Sequence, residues 1–188
     1  FHFIDVPARP VPSLLRGFSA PVKLISEESE ADLRFRLAHD RDDFNRWDAG
    51  HTLALRTILG LVEDRRLNRE PRLPESFSAA FERALQSDVD PALLAQVLSL
   101  PSESYLAEHM AVVDVDGIHA AHTLVRRTLA RRLRPQFLQR YEALRDQTSG
   151  GYRNDADAMS ARALKNVCLD YLMQLDERAA RALCLQQF

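Results

Sequence analysis

The sequence predicts a mainly α protein, an irregular antiparallel array of helices of superhelical type, with a short β segment at its N-terminus. Three observations predict it. From Asp40 onward apolar residues recur at spacings of three, four and seven, as on one face of a helix. Two-residue alternation is confined to about the first 25 residues. Prolines and a Gly-Gly pair cut the remainder into helices of roughly 10 to 25 residues with short joints and no fixed sequence period, which is the pattern of a non-consensus array.

In order, Phe1–Val6 and residues 20–25 are two strand candidates, with Phe1, Phe3, Val6, Val22 and Leu24 as the apolar side chains they would pack together. Between them Pro7, Pro10 and Pro12 fix φ and remove ladder donors, so that segment reads as an extended connection. A short helix follows over about Ser29–His39, with Ser29 as cap and Leu33, Phe35 and Leu37 as apolar bulk. Asp40, Asp42 and Asp43 then supply N-cap candidates and first-turn carboxylates for a long helix running to about Arg66. Its stripe is Phe44, Trp47, Ala54, Ile58 and Leu61, and Trp47, the sole tryptophan, is expected to be largely buried between the first helices.

Pro71 and Pro74 mark a loop. Glu75 or Ser76 opens the next helix, which puts Phe77, Phe81 and Leu85 on one face. Asp90-Pro91 is a helix start with proline at the first helical position, and Leu93, Leu94, Val97 and Leu98 carry that helix to a stop before Pro101. Ser102-Glu103 opens a short helix ending near Met110. Asp114 or Asp116 caps the longest pattern, with Ile118, Ala121, His122, Val125, Leu129 and Leu133 as its inner stripe. Pro135 ends or kinks it, and Phe137, Leu138, Tyr141 and Leu144 continue to about Asp146. Gly150-Gly151 is the clearest loop. The last two helices, about Asp157–Gln174 and Asp176–Phe188, are joined so closely that they are expected to pack antiparallel.

Composition narrows the function. The chain has 188 residues, 46% hydrophobic and 28% charged, in the range of a globular domain, and a formal net charge of −2 offers no electrostatic case for nucleic acid or an anionic membrane. Eighteen successive apolar residues occur nowhere, so no membrane span is expected. Cys168 and Cys184 sit in Leu- and Ala-rich helical patterns and read as reduced core residues of a cytoplasmic protein.

Residues that could carry chemistry do not assemble into a recognisable set. His119-Ala120-Ala121-His122 has the wrong spacing for two imidazoles to grip one metal, and no carboxylate lies between them; a core histidine beside a surface one explains the pair. Asp114-Val115-Asp116-Gly117 lacks the further carboxylates of a calcium loop and fits a helix cap. No nucleophile elbow, phosphate loop or dinucleotide fingerprint is present. Arg126, Arg127, Arg131, Arg132 and Arg134 form a basic run without interleaved aromatics, the pattern of a solvated face or of a contact with an acidic neighbouring surface. Arg16, between Leu15 and Gly17 beside the strand-to-helix junction, is placed to hold carbonyls or a carboxylate across a domain boundary.

Two longer motifs identify a family. Phe44-Asn45-Arg46-Trp47-Asp48-Ala49-Gly50, preceded by Pro12-Ser13-Leu14-Leu15-Arg16-Gly17-Phe18-Ser19-Ala20-Pro21-Val22, resembles bacterial aminopeptidase N, the zinc alanyl aminopeptidases of the gluzincin type. Leu100-Pro101-Ser102-Glu103 and Ala163-Leu164-Lys165-Asn166-Val167-Cys168-Leu169 extend the likeness along the chain. The resemblance implies that residues 1–25 are the terminal strands of a small β-sandwich and 26–188 the first part of the helical C-terminal domain. It implies structural or interdomain roles for Arg16, Asn45, Arg46 and Trp47. The family's His-Glu-x-x-His zinc motif and its Gly-Ala-Met-Glu-Asn run are not in the chain, so zinc and catalysis are expected in the parent polypeptide and not here.

The resulting expectation is a non-catalytic region that partners the catalytic domain of its own chain, covers it and restricts the access of peptide substrates. The alternative is a free-standing helical-repeat interaction module. The first strand candidate opens without a lead-in and the last apolar stripe stops at Phe188 without a stop signal. A piece of a longer chain is therefore expected, self-associating through Phe1, Phe3 and Val6 at one end and Leu183, Cys184 and Phe188 at the other.

Overall fold

A computed structural model describes residues 4–19, 22, 24, 26, 28–148 and 153–187, without the side chains of Phe18 and 146–148. Among the described residues the regular structure is a short 3-10 turn at Arg16–Phe18 and nine α-helices: α1 Glu30–His39, α2 Asp43–Arg66, α3 Glu75–Gln86, α4 Pro91–Leu98, α5 Glu103–Ala107, α6 Val115–Arg132, α7 Arg134–Thr148, α8 Ala156–Met173 and α9 Arg178–Gln187. The array is all-α and superhelical. Of the strand candidates, residues 1–3, 20, 21, 23 and 25 lie outside the described residues, as does the Gly150-Gly151 loop; residues 4–6, 22 and 24 form no strand.

The helix starts follow local chemistry. Ser29 and Asp32 make a reciprocal capping box at α1, with the Asp32 amide donating to Ser29 Oγ at 3.1 Å and the Ser29 amide to Asp32 Oδ2 at 3.1 Å. Asp42, Asp90, Ser102, Asp114 and Asp155 each accept an amide in the first turn of α2, α4, α5, α6 and α8. Such a cap stabilises a helix by about 1 kcal/mol. Asp114 therefore serves as a cap, accepting from the Gly117 amide at 2.8 Å; a Cβ on Gly117 would collide with the same carboxylate. The Pro135 signal resolves as a break: α6 stops at Arg132 and α7 restarts at Arg134.

The core runs through the whole array. α1 packs on α2, α2 on α6, α4 on α8 and α7 on α8 as the most extensive helix pairs. At its centre Phe137 stacks on Tyr171, with centroids 4.6 Å apart and planes 11° from parallel, and Phe81 meets Tyr171 edge-on at 5.6 Å. Phe77, Phe81 and Leu85 of α3 are buried as their spacing predicts, as are Ile118, Ala121, Val125, Leu129 and Leu133 around α6.

Several placements differ from the sequence reading. The buried face of α2 is Asn45, Ala49, Leu53, Ala54, Thr57, Ile58, Leu61 and Val62, so Phe44 and Trp47 lie to its side. Trp47 is mostly covered but not fully buried, on the flank of α2, where its ring packs against Phe44 and His51 of the same helix. Phe35 is 52% exposed because Leu33 and Leu37, four residues apart, already define the inner face of α1. At the other end Leu183 and Cys184 pack partly against the core, and Leu185 is the exposed apolar residue of α9; Phe1, Phe3 and Phe188 lie outside the described residues.

Candidate functional site

The densest polar assembly lies where the N-terminal segment meets the α1–α2 turn. Arg36 projects from the buried side of α1, one position before Leu37 and four before Asp40. Its guanidinium donates to Glu28 Oε1 at 2.6 Å and to Asn45 Oδ1 at 3.1 Å. Asp48 Oδ2 lies 3.5 Å away and Asp40 Oδ2 lies 3.8 Å from its Nε. A buried guanidinium is tolerable only with such partners, since an unpaired buried charge costs several kcal/mol.

The same cluster fastens the chain that precedes it. Ser13 donates to Asp40 Oδ1 at 3.1 Å and accepts from Asn45 Nδ2 at 3.0 Å. Gly17, at φ 65°, donates its amide to Asp42 Oδ2 at 2.7 Å, a backbone conformation in which a side chain would be strained. Asp42 also caps α2 by accepting from the Asn45 amide at 2.9 Å. That hydrogen bond first, then the Gly17 amide and the nearby Arg16 charge, hold the Asp42 carboxyl below the ordinary aspartate range against the cost of desolvation.

Of the four residues assigned structural or interdomain roles, Asn45 stands inside this network and Arg16 at its exposed edge. Arg46 is half-buried, its Nε without a hydrogen-bond partner among the described residues. Trp47 belongs to a different feature, a ladder of rings crossing from α2 to α5. Phe44 and Trp47 lie 5.7 Å apart, Trp47 stacks on His51 at 5.0 Å, His51 meets Tyr105 at 4.9 Å, and Tyr105 meets His109 at 4.6 Å. Burial beside these rings lowers the His51 pKa; Asp48 opposes the shift and His109 adds to it. Sequence reading missed Arg36, His51 and Tyr105. An arginine in the core register of α1, and a histidine completing the 44, 47, 51 spacing, were the available signals.

The other candidates disperse. His119 is exposed and pairs with Glu103 at 3.0 Å, whereas His122 is half-buried, hydrogen-bonded to the Pro101 backbone, with its pKa lowered first by burial and then by Arg126. The basic run is largely satisfied within the chain. Arg126 pairs with Asp170, Arg132 with Glu75, and Arg134 with Glu177 at 2.7 Å, so it ties α6 and α7 to α3, α8 and the α8–α9 turn. Among the described residues no three His, Cys, Asp or Glu side chains converge as metal ligands, and the residues present do not fit a zinc ion. No helix among them is long and apolar enough to cross a membrane.

Fold and polar geometry thus define a helical module with a continuous core, ion pairs that tie its helices together, a fastened N-terminal segment and an aromatic flank. The family model described as a domain of unknown function, DUF3458_C, with ARM repeats, matches residues 30–188. Aminopeptidase N of Escherichia coli is 37% identical over 190 residues, covering 100% of this chain and 21% of that protein. Aminopeptidase N of Caulobacter vibrioides is 36% identical over 89% of the chain and 19% of the relative. The crystal structure of Legionella pneumophila aminopeptidase A in complex with aspartic acid superposes with a TM-score of 0.81 at 28% identity, covering 100% of this chain and 22% of that one. The chain therefore belongs to the DUF3458_C family and is a C-terminal helical domain of the aminopeptidase N type. It spans about a fifth of the length of these relatives.

Proposed function

We propose that this chain is the non-catalytic helical part of a zinc-dependent aminopeptidase that removes N-terminal residues from peptides, and that it covers the catalytic domain of the same polypeptide and restricts access of substrates. The observation that carries the reading is the pairing of an end-to-end likeness to aminopeptidases with a donor set that does not fit zinc. Zinc-dependent peptide hydrolysis needs converging ligands, a base for the metal-bound water and donors for the oxyanion. Among the described residues the histidines are spent on ring contacts, on Glu103 and on the Pro101 backbone. Cys168 and Cys184 are free thiols, which supports a reducing, cytoplasmic setting.

A paired measurement tests it: calorimetric zinc titration and hydrolysis of an alanyl anilide, on this chain and on the complete enzyme under the same conditions. The chain alone is expected to bind no stoichiometric tight zinc and to turn over no substrate, while the complete enzyme does both. Turnover by the chain alone that survives repurification would overturn the proposal.

A further inference from the structure

An open groove of about 280 Å³ runs between α1 and α3. α1 lines it from Ala31 to His39 and α3 from Ser76 to Arg83, in both cases at spacings of three and four, so its walls are one face of each helix. Among the described residues no other element lines it. Ala31, Ala38, Ala79 and Ala80 keep the walls low enough for a third helix to approach, and Phe35, 52% exposed, adds a larger apolar surface.

The charge of the groove is one-sided. No aspartate or glutamate lines it among the described residues. On α3 the two carboxylates are engaged elsewhere, Glu75 with Arg132 and Glu82 with Gln86 and Gln136. Arg83 is exposed and has no ion-pair partner among the described residues. Arg34 reaches Glu30 at 3.3 Å and Ser76 Oγ at 3.5 Å, and an exposed pair one turn apart holds it only weakly. Because Arg34 is tied to Ser76, the two guanidinium groups mark opposite ends of the α3 face, seven residues or about 10 Å apart along the axis.

We infer that this groove docks an acidic amphipathic helix of a partner protein, with its apolar stripe on the alanines and Phe35 and two carboxylates, two turns apart, on Arg34 and Arg83. Two helix faces side by side are the complement of a third helix, and the unopposed arginines select an acidic one. A second copy offers no such face. Within the described helices Glu75 and Glu82 are the one pair of carboxylates seven residues apart, and both are already engaged.

Fluorescence anisotropy on the complete enzyme tests this. The probe is an N-acetylated, fluorescein-labelled peptide of about 16 residues, long enough to be helical in water, with a leucine stripe and two glutamates seven positions apart. Saturable binding that weakens with salt is expected. Lysine in place of the glutamates, or Arg83→Glu in the enzyme, is expected to weaken it at least about tenfold, and Ala79→Trp to abolish it by filling the groove. Positions 79 and 83 are exposed, so neither substitution removes a packed side chain. Equal binding of the lysine peptide, or binding indifferent to both substitutions, would overturn the assignment. Absence of binding would also overturn it, and a cross-link from Ala79→p-benzoylphenylalanine to another part of the same polypeptide or to a second copy would identify what fills the groove instead.

Discussion

The α1–α2 turn and the junction of α3, α7 and α8 are both buried, and they are held by opposite means. At the turn, one guanidinium and a shell of Glu28, Asp40, Asn45 and Asp48 fix the approach of the N-terminal segment through directional contacts. At the other junction Phe81, Phe137 and Tyr171 fill space, with a single polar handle where the Tyr171 hydroxyl donates to the Leu98 carbonyl at 2.9 Å. A packed ring contributes through area and contact, several kcal/mol in all, and tolerates a similar shape. A buried charge contributes little net stability but imposes a geometry, because each missing partner is costly. The first region specifies how the chain enters the domain, and the second supplies the stability.

The largest effect expected from this contrast is at the apolar junction. Phe137→Ala removes a fully buried ring stacked on Tyr171 and is expected to cost about 4 kcal/mol in denaturant unfolding, within the range for emptied aromatic sites. A loss below about 1 kcal/mol would show that the site collapses and that packing there is not specific. The polar junction comes next. Arg36→Met is expected to cost about 3 kcal/mol by stranding the carboxylates of Glu28 and Asp40. Adding Asp40→Asn is expected to recover part of that, so the two changes together cost less than their sum in a double-mutant cycle. Strict additivity would mean that the two groups act independently.

The smallest effect reads the flank. His51 has a folded-state pKa below the ordinary histidine value near 6.5, because burial beside the rings disfavours its charged form. The unfolded chain then takes up the proton first on acidification, so stability is full above about pH 6.5 and falls as pH drops toward the lowered folded value. His122 is shifted in the same direction and adds to the slope. His51→Gln is expected to flatten the pH dependence of the melting temperature. Because Trp47 stacks on His51 and is the sole tryptophan, its emission is also expected to be quenched at the pH where His51 takes its proton, and His51→Gln removes that step. An unchanged slope and an unchanged emission profile would place the titration elsewhere.

Much of the array was legible because helix starts and core stripes are local properties. Ser29, Asp90, Ser102 and Asp114 cap where capping chemistry places them, and Phe77, Phe81 and Leu85 face inward at their four-residue spacing. What could not be read depends on which neighbour a face meets. Phe44 and Trp47 share a periodic stripe with Ile58, yet α1 approaches α2 over Asn45 and Ala49 and leaves the two rings on the flank. The same cause hid the polar junction: Arg36 becomes a buried hub only because Glu28 and Asp48, 8 and 12 residues away, are folded against it. The arginines of α6 looked like a free face, and their acidic partners, Asp170 and Glu75, are 44 and 57 residues distant.

The closing of α3 and α4 has a temporal consequence. The carbonyls at the C-terminal ends of these helices are completed by later side chains: Arg140 of α7 donates to Leu85 O at 2.8 Å and Ser87 O at 3.1 Å, and Tyr171 of α8 donates to Leu98 O. The tyrosine lies 73 residues downstream of its acceptor. At a synthesis rate of about 5–20 residues per second, about 4–15 s separate the making of Leu98 from that of the tyrosine that donates to its carbonyl. Both helices are closed locally by Ser87 and Ser99, whose amides bond the Ala84 and Gln96 carbonyls, so what arrives with α7 and α8 is the donor set for the outermost carbonyls and the packing around them.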